Sequence, residues 1–140
     1  MAEASPEEIQ ELASRYEVLQ RELARLDQRL GALEEGVVEA RRAESTLRGL
    51  LEREGEQEVL VPIGGGVYLR ARVDPSAPLI RPVGAGYATE GGLADAAARM
   101  QERAADAQKQ YDAARQEAQR VAQAAQETAD RLQAHSAGMV

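Results

Sequence analysis

The chain has 140 residues but no cysteine, tryptophan or phenylalanine, and its only lysine and histidine are Lys109 and His135. Without cysteine there can be no disulfide framework, no thiolate nucleophile and no cysteine-based zinc site. The formal net charge is −7, whereas binding to nucleic-acid phosphates requires clustered Lys and Arg. We therefore expect no nucleic-acid partner.

The sequence also has no apolar run long enough to cross a membrane, and its acidic, polar start is not typical of a signal peptide. We expect a cytoplasmic protein with no membrane partner. His135 has no partners in the sequence that would make it a metal ligand or a catalytic base, and a cation near a helix end suits the helix dipole. The carboxylates are spread over outward helix faces. We expect no enzyme activity, no cofactor and no metal.

Two long segments carry the 3.5-residue repeat of a coiled-coil seam, in which apolar or small residues recur at alternating spacings of three and four. The first seam, interrupted at Glu44, comprises Ile9, Leu12, Tyr16, Leu19, Leu23, Leu26, Leu30, Leu33, Val37, Ala40, Leu47 and Leu51. The second comprises Leu93, Ala97, Met100, Ala104, Ala107, Tyr111, Ala114, Ala118, Val121, Ala125, Thr128 and Leu132. Leucine dominates the first seam and alanine the second. Small residues facing large ones allow two helices to pack closely.

The sequence marks the ends of both helices. A capping box at Ser5 to Glu8 starts the first helix, which should run from Pro6 to Glu54 and end at Gly55. The second should begin between Thr89 and Leu93 and end before Gly138.

An antiparallel register follows if Leu51 lies near Leu93. Large residues then meet small or aromatic ones along the pair, as Leu30 with Ala114, Leu26 with Ala118 and Leu33 with Tyr111. The expected fold class is mainly α with a small β segment. Residues 1–55 form the first helix of an antiparallel coiled-coil hairpin, 56–90 form two β hairpins at its base, and 91–140 form the second helix and a C-terminal tail.

The segment between the helices alternates with period two, which is typical of β hairpins. Strand residues from Val59 to Ile63 lead through Gly64–Gly66 into Val67 to Val73, whose odd-numbered residues share an apolar face. After a turn at residues 74–78, a second pair follows, with Leu79 to Val83 joined to Tyr87 to Thr89 at Gly84–Gly86. A β segment of about 35 residues is too small for a core of its own, so we expect oligomerisation.

The prolines and glycines of this segment have specific structural roles. Pro62 and Pro82 each remove a ladder donor and should lie at sheet edges or bulges. A phosphate-binding loop at Gly64–Gly66 would require a following Gly-Lys-Ser/Thr, and a dinucleotide fingerprint at Gly84–Gly86 would require glycine where Thr89 stands. Both glycine clusters are therefore expected to be turns.

The segment Glu58-Val-Leu-Val-Pro-Ile-Gly-Gly-Gly-Val-Tyr-Leu-Arg-Ala-Arg72, followed by Pro82-Val-Gly-Ala-Gly-Tyr-Ala-Thr-Glu90, resembles the α class of prefoldin subunits. In that family a strand ending in proline and an apolar residue leads through a glycine turn into an apolar-Tyr strand, and a later Gly-x-Gly-Tyr precedes the second helix. Two hairpins are similar to the α class, because the β class has one.

The resemblance implies an ATP-independent chaperone, a holdase, in a hexamer of two α and four β prefoldin subunits. The hairpins would join an oligomeric β barrel, and unfolded clients would be held at the coiled-coil tips and passed to a group II chaperonin. The oligomerisation residues implied are Val59, Val61, Ile63, Val67, Leu69, Val73, Leu79, Val83 and Tyr87. The client-binding tip residues implied are Ile9, Leu12, Tyr16, Val18, Leu132 and Met139.

Alternatives remain at this stage. Tyr16 and Tyr111 lie on the seams, where core packing competes with a binding role, whereas Val18 lies off the seam and should be exposed. The chain could instead be a structural coiled-coil adapter that bridges fixed protein partners without general chaperone activity. A nucleotide-binding module or enzyme that uses the glycine turns is the third interpretation.

Overall fold

The structure, a computed structural model, describes residues 5–137 and contains two long helices separated by four short strands. In chain order the elements are α1 (Pro6–Leu51), β1 (Gln57–Gly64), β2 (Val67–Val73), β3 (Leu79–Gly84), β4 (Tyr87–Gly91) and α2 (Leu93–Ala137). The predicted fold class, mainly α with two small β hairpins between the helices, is confirmed. The chain divides into two compact units. Unit one combines the chain up to residue 35 with the chain from residue 107 onward, and unit two is residues 36–106.

Helix α1 begins as its sequence predicts. The Ser5 hydroxyl accepts a hydrogen bond from the Glu8 backbone N–H at 3.2 Å, and the Ser5 carbonyl accepts one from the Ile9 N–H at 3.1 Å. These bonds make Ser5 the N-cap, with Pro6 at the first helical position, where its missing N–H costs nothing.

The end of α1 differs from the prediction. The helix ends at Leu51, three residues before the predicted Glu54, and Leu51 is 41% exposed, so its assignment to the seam was wrong. The Gln57 side-chain amide donates to the Leu50 carbonyl at 2.7 Å, which satisfies one of the carbonyls left free at a helix end. Gly55 then turns the chain with a positive φ of 79°. The helix stops early because Gln57, outside the heptad pattern, supplies this cap.

Unit one packs a stretch of α1 beside an antiparallel stretch of α2. Its buried residues are Leu26, Ala114, Ala118, Ala125 and Thr128, which agrees with the prediction that large residues of α1 face small ones of α2. The Thr128 hydroxyl donates to the Ala124 carbonyl at 2.8 Å. In the described residues no buried side-chain polar atom is left without a hydrogen-bond partner.

Unit two holds the other helix stretches and all four strands. Its buried residues are Val37, Ala40, Leu93, Ala97 and Ala104. Glu44 is half-buried and pairs with Arg48 at 2.9 Å, and Arg48 donates to the Gln101 side chain of α2 at 3.1 Å. A polar link between the helices thus replaces an apolar contact where the heptad pattern is interrupted.

The strands form two separate antiparallel hairpins, β1–β2 and β3–β4. The ladder of the first is irregular between Pro62 and Gly64, and that of the second between Pro82 and Gly84. Both prolines therefore lie beside bulges, as predicted. Each hairpin closes with two residues of positive φ, at 60° and 76° in the first turn and 51° and 78° in the second. Positive φ at both positions is typical of a type I′ turn, which matches the twist of a hairpin.

Candidate assembly and binding surfaces

The most prominent surface is the set of large apolar side chains that the strands leave exposed, here called the hairpin surface. It comprises Leu60, Val61, Ile63, Val67, Tyr68, Leu69, Ile80, Val83 and Tyr87. Six of these were expected to take part in oligomerisation, and the other three expected residues, Val59, Val73 and Leu79, are half-buried. Exposed large apolar side chains in this number favour an interaction site on these hairpins.

The hairpin surface covers both faces of the first sheet, because residues paired across a ladder point to the same side. Val61 pairs with Leu69 on one face, and Leu60 pairs with Arg70 on the other. The residues expected from the sequence to take part in oligomerisation did not include Leu60, Tyr68 and Ile80. The structure exposes all three, with Ile80 at 75%. A signal was present in the uninterrupted apolar run from Val59 to Val61, since such runs are typical of strands buried on both faces.

The charged residues of the first hairpin lie toward the helices. Arg70 contacts Glu58 at 3.5 Å and Arg72 contacts Glu56 at 3.6 Å. All four side chains are well exposed, so these ion pairs contribute little to stability. The hairpin is therefore charged near the helices and apolar near its turn.

Each sheet has only two strands, so every strand has one edge whose backbone groups lack a partner within its own sheet. A single two-stranded hairpin is marginally stable in water, and an open edge is a template for pairing with another strand. Open edges and exposed apolar side chains occur together on both hairpins.

The predicted tip residues lie in unit one, except Met139, which lies outside the described residues. Ile9, Leu12, Tyr16 and Leu132 are half-buried on the seam, and the Tyr16 hydroxyl accepts a hydrogen bond from the Gln20 amide at 2.9 Å. Val18 is 62% exposed, which confirms that it lies off the seam.

Unit one also contains an open groove of about 610 Å³ between the two helix stretches, here called the tip groove. It is lined by Glu8, Glu11, Leu12, Arg15, Arg131, Ala134 and His135. Of these, only Leu12 was predicted as a site residue. The antiparallel register, extended to the start of α1, places Leu12 opposite Leu132, so it could have indicated that Arg131 and Ala134 lie near Leu12.

The glycine clusters are hairpin turns, as predicted, and neither one leads into a helix. In residues 5–137 no group of three or more His, Asp and Glu side chains is arranged to hold a metal ion. The helices described there are too polar to span a membrane.

Paired long helices with exposed β hairpins define a class of coiled-coil subunits. The Prefoldin family model, described as prefoldin subunit, matches residues 19–138. The chain therefore belongs to the prefoldin family, and the resemblance recognised in its sequence is confirmed.

The chain is similar to several proteins that are named prefoldin subunit alpha. The chain is 39% identical over 95 residues to prefoldin subunit alpha 1 of Thermococcus kodakarensis, a match that covers 68% of this chain and 65% of the relative. It is 35% identical over 108 residues to prefoldin subunit alpha of Pyrococcus horikoshii, covering 76% of this chain and 70% of the relative. The chain thus spans somewhat less than two thirds of the length of the Thermococcus kodakarensis relative.

A solved structure supports the fold. The cryo-EM structure of filamentous PFD from Methanocaldococcus jannaschii matches with a TM-score of 0.52 and 18% identity, covering 88% of this chain and 96% of that one. At this identity the likeness establishes the fold alone.

Proposed function

We propose that the chain is the α subunit of a prefoldin-type holdase, a chaperone that binds unfolded proteins without ATP. In this proposal the hairpins join prefoldin β subunits in a hexamer of two α and four β chains, and the complex hands its clients to a group II chaperonin in the cytoplasm. The observation that carries the proposal is the exposed hairpin surface, which is apolar on both faces in the first sheet and which family membership links to a chaperone assembly.

Holding is assigned to the helix ends in unit one. Ile9, Leu12 and Tyr16 leave part of their apolar surface accessible there, and Val18 adds an exposed side chain. Each such contact is weak. Several arms acting on one client bind more strongly than any single arm by orders of magnitude, because later contacts are intramolecular. Weak individual contacts also let the client leave without an energy source.

The test is suppression of aggregation of a denatured model protein by the assembled complex. Tyr16→Glu combined with Val18→Glu should remove most of the holding while the assembled mass stays unchanged. Val18→Glu alone should weaken holding without disturbing the seam. Val38→Glu is the matched control, since Val38 is also exposed on α1, at 48%, but lies in unit two.

Two outcomes would contradict the proposal. Unchanged holding in the double variant would remove the helix ends from the binding site. Failure of the wild-type complex to hold any denatured protein, together with tight binding of one native protein, would favour a structural adapter.

A further inference from the structure

We propose that the tip groove selects unfolded segments by charge as well as by apolarity. Its preferred occupant is a stretch of client chain with an apolar side chain between a basic residue at one end and an acidic residue at the other. The inference rests on the proposed function and specifies the substrate class of that site.

The tip groove combines apolar and charged lining residues. Leu12 and His135 are half-buried in it, whereas Ala134 and the four charged residues Glu8, Glu11, Arg15 and Arg131 are exposed. The volume of about 610 Å³ lies within the range of about 300–1,000 Å³ that is usual for ligand clefts. The groove is large enough for a bulky apolar side chain and its neighbours.

The charges are separated along the groove. Glu8 and Glu11 precede Arg15 on α1, and a rise of about 1.5 Å per residue places Glu8 and Arg15 roughly 10 Å apart along the helix axis. Because α2 runs antiparallel in unit one, Arg131 lies nearer to Arg15 than to Glu8, and His135 lies nearer to Glu8. One end of the groove thus carries carboxylates and the other carries guanidinium groups.

Among the residues that the structure describes, these charged side chains form no ion pairs. Glu11 and Arg15 have the i,i+4 spacing that commonly produces a helix ion pair, but no such pair forms between them. Within residues 5–137, Glu8 and Arg131 likewise form no ion pair. Two carboxylates and two guanidinium groups therefore line the groove without an ion-pair partner in residues 5–137.

The experiment measures peptide binding at this groove in the assembled complex. Because the chain has no cysteine, Ser136→Cys provides one position, next to His135, for an environment-sensitive dye attached before assembly. Five peptides share one apolar centre and differ in their flanks: Lys then Glu, Glu then Lys, Lys at both ends, Glu at both ends, or Gln at both ends. Each is titrated at low and at high salt.

One of the two peptides with opposite flanking charges, Lys then Glu or Glu then Lys, should bind roughly fivefold more tightly than the Gln-flanked peptide. This is the gain expected for two exposed ion pairs. High salt should remove most of that difference. Glu11→Arg should shift the preference toward Glu at both ends, and Arg131→Glu toward Lys at both ends. Glu17→Arg and Arg120→Glu make the same changes in net charge outside the groove and should leave the order of affinities unchanged.

Equal affinities for all five peptides would overturn the charge selection and leave the proposed holdase standing. If no peptide binds and denatured proteins are not held either, both proposals fail. A dye signal that depends on the concentration of the labelled chain alone would assign the groove to a second copy of this chain and would also overturn the inference.

Discussion

Leu26 is the largest fully buried side chain described in this structure, at 1% exposure. Leu26→Ala should lower the free energy of unfolding by about 2–5 kcal/mol, because it removes buried methyl groups and leaves a cavity. Chemical denaturation followed by circular dichroism measures this loss. Val18→Ala should change stability by no more than about 0.5 kcal/mol, since Val18 is exposed. Equal effects of the two substitutions would place Leu26 outside the core.

Asp74 offers a second test at the scale of single residues. The Ser76 hydroxyl donates to its carboxylate at 2.7 Å and the Ser76 backbone N–H at 2.9 Å, and these bonds hold the pKa of Asp74 below its usual value. Ser76→Ala should raise that pKa part of the way back, since the backbone bond remains. An NMR titration of the Asp74 carboxyl measures the change, and an unaltered pKa would mean that the hydroxyl bond does not form in solution.

The direction of the pH effect follows from that lowered pKa. A carboxyl that titrates lower in the folded chain stabilises the fold at pH values above its unfolded pKa and loses this contribution as the pH falls through its folded pKa. Any stability difference between wild type and Ser76→Ala should therefore be present at neutral pH and vanish in acid. Because Asp74 is exposed, we expect the difference to be small.

At the scale of elements, two glycines should respond oppositely to the same substitution. Gly31 lies inside α1 with nothing within 4 Å of an added Cβ, so Gly31→Ala should stabilise the helix by about 1 kcal/mol. Gly66 closes the first hairpin with φ of 76°, and Gly66→Ala should destabilise it by about 1–2 kcal/mol. The midpoints of denaturation of the two variants should lie on opposite sides of the wild type.

A comparison of the two hairpin turns shows which turn position tolerates alanine in place of glycine. Ala85 has a φ of 51° in the second hairpin, close to the 60° of Gly65 at the equivalent position of the first, whereas Gly66 and Gly86 are glycine in both. Gly65→Ala should therefore be better tolerated than Gly66→Ala. The reverse order would show that the two turns are not equivalent in solution.

The helices were the most predictable elements, because a heptad pattern repeated over many turns predicts a helix even where a single residue departs from the pattern. The roles of Ser5, Pro62 and Pro82 were also predictable, since each follows from the chemistry of that single residue: a capping hydroxyl in Ser5 and a missing N–H in the prolines. The end of α1 was not, because Gln57 caps it from the following strand and no local rule anticipates that contact. Leu51 was misassigned for the same reason: the heptad continues in the sequence up to the residue at which the helix stops.

At the scale of the whole molecule, we expect the hairpin surface to determine whether the chain can remain monomeric. Leu69→Asp should abolish assembly, because it places an unpaired charge among apolar side chains that a partner would cover. Native mass spectrometry of the chain with its cellular partners measures this directly, and two copies with four shorter coiled-coil chains are expected for wild type. Leu69→Ile keeps the side chain apolar at similar volume and should preserve the complex. A normal complex from Leu69→Asp would exclude this face from the interface.

The surfaces were less predictable than the fold. Sequence alternation identified one face of the first hairpin but not Leu60 and Tyr68 on the other, because alternation predicts a single apolar face and a polar opposite face. The tip groove depends on residues of α1 and α2 that are far apart in sequence, so its charge separation becomes visible only when the antiparallel register is known. Seams predict which residues of a pair of helices touch, but not which charges remain unpaired around them.

The open edges of the two hairpins have a consequence for how the cell must make this protein. A chain released without its partners would expose adhesive strands to every other copy, and only the two prolines and their bulges would interrupt stacking. If the hairpins join partner subunits as proposed, we expect production of the chain to keep pace with that of its partners. A chain of this kind is prone to aggregate as long as its hairpin edges remain uncovered.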